Sequence, residues 1–194
     1  MEIKILYEGV HEERKKKNSC DPICSTVVLI KGKKNIIVDT GNLGFEKEIL
    51  ESLEEHGLKA EDIDYILLTH NHNDHASNNY LFKNAKIVSY DGIWYDKKVD
   101  LIENDKFSIS GIERISVNGH TTPHYAIIVK MDKTYVIAGD AIRYNMLEKG
   151  FANEQEKESA RKILEIADVI IPGHGPIIKG DNLKKFKRLL EESK

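Results

Sequence analysis

Two cysteines, Cys20 and Cys24, are all that this 194-residue chain contains. That scarcity excludes a small fold stapled by disulfides. Their Cys-x3-Cys spacing has no second pair to complete a zinc site, so both are expected as free or partly buried thiols. Long apolar runs are also missing. Those present, such as Ile66-Leu67-Leu68 and Ala126-Ile127-Ile128-Val129, fall far short of a membrane span. The opening MEIKILYEG has no basic n-region, no extended apolar core and no cleavage box, so no signal peptide is expected and the default location is cytoplasmic. Neither sign of charge dominates: the net charge of −3 gives no field that would draw in nucleic acid or an anionic membrane. Fixed-period repeats, low-complexity tracts and Pro/Ser-rich linkers are absent too.

What is present is 40% hydrophobic and 31% charged, the balance of a soluble globular protein. The length suits one domain over residues 1–194, or two small halves packed as one unit, with enough chain to bury a core. Alternation predicts a strand at Glu2–Tyr7, and β-rich runs predict strands at Thr26–Ile30 and Asn35–Asp39, joined by the turn Lys31-Gly32-Lys33-Lys34. Residues 11–19, including Lys15-Lys16-Lys17, read as a charged, solvated loop. Helical spacing of Ile49, Leu50 and Leu53 predicts a helix over Phe45–His56, closed by Gly57. Asp64–Leu68 reads as a short buried strand. Further strands are expected at Lys86–Ser89, Lys106–Ser108, Glu113–Val117, Tyr125–Lys130, Thr134–Ala138 and Asp168–Ile171. Helices are expected at Glu154–Ala167 and at Asn182–Glu192, the latter with Asp181 as N-cap. Trp94 and Tyr95 fall between the halves, where either pocket lining or core packing would suit them. Two sheets packed together with helices outside fit this order.

Eight histidines occur, and six lie in three short segments: His70, His72 and His75; His120 and His124; and His174. Solvated surface histidines should scatter, so the clustering points to chemistry. The run Thr69-His70-Asn71-His72-Asn73-Asp74-His75 follows directly on the apolar strand Tyr65–Leu68. In extended chain, residues two apart face one side, so His70 and His72 can aim at one metal ion. A turn after Asn73 would carry Asp74 and His75 to a second point nearby. Imidazole and carboxylate both suit zinc and related divalent ions. Three more candidate ligands each follow a glycine after a run of strand character: Gly119-His120, Gly139-Asp140 and Gly173-His174. Glycine permits the tight turn and close backbone approach such a position needs.

In this order the segments resemble the metallo-β-lactamase superfamily: Val38-Asp39-Thr40-Gly41, then His70-x-His72-x-Asp74-His75, Gly119-His120, Gly139-Asp140 and Gly173-His174. The likeness runs from about Thr26 to the end, and the short length and the tail Ala167–Pro176 resemble the small single-domain members. It implies an α/β fold of the metallo-β-lactamase-like four-layer αβ/βα sandwich type, with the site at one edge between two sheets. Carried over, it implies that His70, His72 and His120 hold one metal, that Asp74, His75 and His174 hold a second, and that Asp140 bridges them. Asp39 would orient ligands or loops through hydrogen bonds. His124 matches a histidine often found four positions after the His120 ligand, and reads as either a support behind the ligands or a substrate-side residue. The family's usual Gly-His-Thr-Pro-Gly-His appears here as Gly119-His120-Thr121-Thr122-Pro123-His124, which keeps both histidines but alters the loop.

Such a site implies a binuclear metal-dependent hydrolase, with two divalent ions, zinc first and iron or manganese as alternatives. A water bridging the ions would ionise near neutral pH and attack a carbonyl or phosphorus centre, with Asp74 orienting it and taking its proton. The expected partner is a small-molecule ester, thioester, lactone or related substrate. A phosphodiesterase or ribonuclease of the same fold is the alternative, although the large insertion of β-CASP nucleases and an extended basic surface are both missing. A diiron redox role fits less well: those relatives put Glu where His72 stands and add a flavin domain. A non-catalytic binding module would be expected to have lost ligands. No membrane partner is expected, and oligomeric state is not legible.

Overall fold

A computed structural model describes residues 1–13, 20–102 and 107–193. The chain divides into two compact units, Met1–Ile102 and Glu103–Lys194. The first contains β1 (Glu2–Tyr7), β2 (Val10–Glu13), β3 (Cys20–Cys24), β4 (Val27–Lys31), β5 (Ile36–Val38), β6 (Tyr65–Leu67), β7 (Lys86–Val88), β8 (Gly92–Tyr95) and β9 (Lys98–Leu101). It also holds the helices α1 (Glu46–Glu55) and α2 (Asn73–Ala76). Seven strands form one sheet in the order β1-β4-β5-β6-β7-β8-β9, and β2 pairs with β3 apart from it. The β-branched runs of β4 and β5 are buried on both faces, as befits central strands. Helix α1 is charged apart from one apolar stripe. It buries Ile49 and Leu53 completely among Leu6, Val27, Leu29, Ile37, Ile66 and Phe82. Each such side chain contributes roughly 1.5–3 kcal/mol by leaving water, more than this short helix gains from its own propensity.

The second unit contains β10 (Ser108–Ile109), β11 (Ile112–Ser116), β12 (Tyr125–Lys130), β13 (Thr134–Gly139) and β14 (Val169–Pro172), which form a sheet in that order. Its helices are α3 (Met146–Lys149), α4 (Glu154–Ile166) and α5 (Gly180–Glu192). Helix α4 starts on a capping bond, its Glu156 N–H donating to Asn153 Oδ1 at 2.8 Å. It lays Ala160, Ile163 and Leu164 into a core with Val136, Ala138, Ile170 and Phe186.

Both units carry a pair of parallel strands whose carboxyl ends come out side by side. In the first, β5 and β6 run parallel with Val38 opposite Leu67, so Asp39 and the segment Leu68–His70 leave the sheet together. In the second, β13 and β14 run parallel with Gly139 opposite Pro172, so Asp140 and Gly173-His174 emerge together. Carboxyl ends of parallel strands are where open α/β sheets put their sites.

The expected hairpins, helices and buried strands form, with ends shifted by a residue or two. Four details differ. Glu2–Tyr7 is followed by β2, whose residues His11 to Glu13 fall in the expected loop; Lys15-Lys16-Lys17 lies outside the described residues, as does Lys106. Asp181 is not the N-cap of α5: the helix begins at Gly180, with Lys179 at the cap, and Asp181 sits in the first turn with Lys184 Nζ at 2.8 Å. Trp94 and Tyr95 belong to a hairpin, and Trp94 is 45% exposed rather than core. That hairpin turns on Asp96-Lys97, with Asp96 at φ 50°, so it lacks the glycine that usually announces such a turn. Finally, a helical turn rather than a simple bend follows His72.

Candidate metal centre

In the first unit the donors are set by a chain of hydrogen bonds that begins at Asp39. This residue follows β5 in the left-handed region at φ 53° and is 1% exposed. Its Oδ1 accepts from the Thr69 backbone N–H at 2.8 Å. Its Oδ2 accepts from the Thr69 hydroxyl at 2.7 Å and from His75 Nδ1–H at 2.7 Å. With its own hydrogen committed to Asp39, Thr69 Oγ1 accepts from His70 Nδ1–H at 3.1 Å. One buried carboxylate thus assigns both tautomers, directing the Nε2 lone pairs of His75 and His70 away from it.

Those lone pairs have suitable company. His70 Nε2 stands 3.0 Å from His72 Nδ1, and two nitrogens on one tetrahedral zinc stand roughly 3.3 Å apart, given Zn–N distances of about 2.0–2.1 Å. His75 Nε2 lies 3.7 Å from Asp74 Oδ2, and the His70 and His75 rings are 4.1 Å apart between centroids. Helix α2, which carries Asp74 and His75, is held by its backbone. Thr40 N–H donates to the His75 carbonyl at 2.7 Å and Ser25 N–H to the Asp74 carbonyl at 3.0 Å. The loop after Asp39 is equally tight. A side chain at Gly41, φ 73°, would sit 2.9 Å from Cys24 Sγ and 3.0 Å from Ile49 Cδ1. The Val-Asp-Thr-Gly motif is therefore a packing requirement as well as a source of Asp39.

In the second unit the candidate donors are His120, Asp140 and His174. Asp140 directs one oxygen at each histidine: Oδ2 lies 3.2 Å from His120 Nε2 and Oδ1 lies 3.5 Å from His174 Nε2. Its backbone carbonyl accepts from Arg143 Nη1 at 2.5 Å, and the same guanidinium donates through Nη2 to Glu156 Oε1 at 2.6 Å. Glu156 is 3% exposed and also accepts from the Ala152 N–H. This partly buried ion pair ties the Asp140 turn to the start of α4. His120 lies in the loop from β11 to β12, which contains a cis Thr122-Pro123 bond. Here Gly119, φ 132°, is needed because an added Cβ would lie 2.5 Å from the Glu156 nitrogen. His124 is fully buried, its ring 6.1 Å from that of His120, and its N–H donates to Asn118 Oδ1. Complete burial favours a supporting place for His124 over one facing a substrate.

Imidazoles with fixed tautomers beside carboxylates, at ligand-like spacings, form a donor set that fits divalent metal ions, and these histidines and aspartates are candidate metal-binding groups. Sequence reasoning overlooked Thr69 as a relay and the Arg143–Glu156 pair. Thr69 stands immediately before His70, and that adjacency was its only signal.

A family model for the metallo-beta-lactamase superfamily matches residues 21–100. The Xenopus laevis protein named metallo-beta-lactamase domain-containing protein 1 is 33% identical over 167 residues, 78% of this chain and 70% of that protein. The chain belongs to the metallo-β-lactamase superfamily. A Methanocaldococcus jannaschii protein named probable metallo-hydrolase is 35% identical over 161 residues, 76% of this chain and 74% of its own. In three dimensions, a Thermotoga maritima protein assigned to the metallo-beta-lactamases matches with a TM-score of 0.74 at 24% identity, covering 92% of this chain and 99% of that one. The fold is thus the α/β fold of the metallo-β-lactamases, and the chain is a hydrolase of a superfamily that works with divalent metal ions. Among the described residues, no helix is long and apolar enough to cross a membrane.

Cys24 sits beside this machinery without joining it. It is fully buried, and its sulfur accepts from Asn42 N–H at 3.3 Å. Burial, together with the negative charges of Asp74 and Glu48, pushes its thiol up from 9.0 to about 11, against the lowering effect of the Asn42 bond. The folded state therefore favours the neutral thiol. That contribution is complete below pH 9 and is lost as pH rises through about 11. At pH 8 the native thiolate population should be about 100-fold below that of the unfolded chain. In a Cys20→Ser background, Cys24 should accordingly react with a disulfide reagent at least that much more slowly when folded than in urea. Equal rates would show the thiol to be exposed and unperturbed. The side chain of Cys20 lies outside the described ones.

Proposed function

We propose that the 194 residues act as a single domain that hydrolyses an ester, thioester, lactone or related bond of a small molecule, using two divalent ions, zinc by preference. His70, His72 and His120 would hold one ion, Asp74, His75 and His174 the other, and Asp140 both. One observation carries this reading: the two Asp140 oxygens are divided between His120 and His174, at 3.2 and 3.5 Å. An imidazole ordinarily gives one nitrogen to one ion, whereas a carboxylate can serve two. When bound, such an ion pair supplies Lewis acidity and a water acidic enough to ionise near neutral pH.

The chain's own residues do the rest. Asp39 and Thr69 hold His75 and His70 in the tautomers that present Nε2. Asp74 is the only carboxylate in the His70–His75 run. Its side chain is partly open to solvent, so it can orient the attacking water and accept its proton. A net charge of −3 gives polyanions no general attraction, which favours a small substrate over a nucleic acid. Two cysteines in the whole chain suit a cytoplasmic setting.

The test is to assay the zinc-loaded protein against carboxylic esters, thioesters and lactones beside phosphodiesters and RNA. Turnover is expected for the carbonyl substrates, with loss on chelation. Asp74→Ala should lower kcat by roughly 10²-fold or more while keeping the fold. Turnover confined to phosphodiesters or RNA would replace this reading with the nuclease one.

A further inference from the structure

Strand β9 is the last strand of the seven-stranded sheet, and its four residues are all exposed. Among the described residues it pairs only with β8. Edge strands normally carry few apolar side chains, because their unpaired backbone groups invite another strand. Here Val99 is 36% exposed and Leu101 74%, and Trp94, opposite Val99 on β8, is 45% exposed. Alternation puts these three on one face of the hairpin.

The hairpin register fixes which backbone groups look outward. Tyr95 pairs with Lys98 across a two-residue turn, and Ile102 N–H donates to the Asp91 carbonyl at 3.1 Å. In an antiparallel ladder hydrogen-bonded pairs alternate with non-bonded ones. Lys98, Asp100 and Ile102 therefore turn their N–H and C=O groups to β8, and Val99 and Leu101 turn theirs to the open edge.

We propose that β9 pairs antiparallel with β9 of a second copy of this chain, on a two-fold axis at Val99. In this register Val99 faces Val99 and exchanges two backbone hydrogen bonds with it. The side-chain charges select this register. With Val99 on the axis, Lys98 of each copy lies opposite Asp100 of the other. Sliding by two residues, the smallest step that keeps the outward groups outward, sets either Asp100 against Asp100 or Lys98 against Lys98. Opposite charges across a strand pair stabilise it, and like charges directly opposite disfavour it. Asp100 is held ready by the Tyr95 hydroxyl, which donates to its Oδ2 at 2.8 Å. The contact is self-complementary and closes at two copies, leaving neither β9 edge open.

The experiment is sedimentation analysis of the full chain, at concentrations from about 1 to 100 µM. Wild type is expected to move as a dimer at the upper end. Lys98→Glu, which sets like charges opposite, should shift it to monomer, as should Asp100→Lys. The double exchange Lys98→Glu with Asp100→Lys restores opposite charges and should restore the dimer. Val99→Pro removes an outward N–H but none that bonds β8, so it should give a folded monomer. All variants should keep hydrolytic activity and melt as wild type does at the lowest concentration, where it is monomeric; at the upper end only the dimeric forms should gain stability with concentration. A monomeric wild type, a dimer indifferent to these changes, or growth beyond the dimer would each overturn the proposal.

Discussion

Asp140→Asn is expected to release at least one of the two metal ions proposed for the site and to abolish hydrolysis with it. The substitution keeps the shape of the side chain and removes its charge. Two dications held close together repel strongly, and a shared carboxylate offsets part of that repulsion. An amide offers one neutral oxygen in place of two charged ones. Asp140 is 6% exposed, and its two oxygens lie 3.2 and 3.5 Å from different histidine nitrogens, so replacing one of them by an NH2 group takes an acceptor from one of the two histidine positions. Removing an outer hydrogen-bonding partner of a metal ligand typically costs about 10–100-fold in affinity, and losing a ligand itself should cost more. The fold should survive, because the Arg143 bond to the Asp140 carbonyl and the Arg143–Glu156 ion pair do not use the carboxylate. Metal titration with melting of the metal-free protein checks both halves. Unchanged affinity for both ions would remove Asp140 from the ligand set.

Asp39→Ala should damage stability and metal binding together. Its carboxylate accepts three hydrogen bonds in a buried setting, from the Thr69 N–H, the Thr69 hydroxyl and His75 Nδ1–H. A buried donor left without a partner costs about 1–3 kcal/mol, so the loss should reach about 3 kcal/mol or more. For a chain of this size that is a fall of roughly 10 °C in Tm. Alanine also tolerates the left-handed backbone at this position less well than Asp. With the two tautomers no longer enforced, metal affinity should fall about 10–100-fold. Asp39→Asn keeps an acceptor and should fall between the two. The decisive comparison is metal-free melting beside zinc titration. A variant that melts normally and still binds zinc normally would show that Asp39 does not organise the ligands.

Much of the candidate site was legible because its residues sit on simple local features. The His70–His75 run follows an apolar strand, and each of the other candidate ligands follows a glycine. The pairing of strand ends was not legible. Nothing local says that β5 lies parallel to β6, or β13 to β14, and it is this pairing that sets Asp39 beside Thr69 and Asp140 beside His174. The role of Thr69 depends on a carboxylate 30 residues away. The Arg143–Glu156 pair was equally hidden, because Glu156 reads as one more charge on a helix until the close approach of Gly119 explains why it is buried there. The β8–β9 hairpin escaped notice because its turn uses Asp96 where glycine would have marked it. His124 was placed by analogy, and its complete burial, which favours a supporting place, has no local sign in the sequence.

Seven side chains from His70 to His174 are proposed to hold two ions. The most direct test is elemental analysis of the zinc-replete protein after gel filtration, with activity followed as metal-free protein is titrated with zinc. The account predicts two equivalents per chain, with full activity only when both are bound. A stable single equivalent carrying full activity, or undiminished turnover in the metal-free protein, would contradict it.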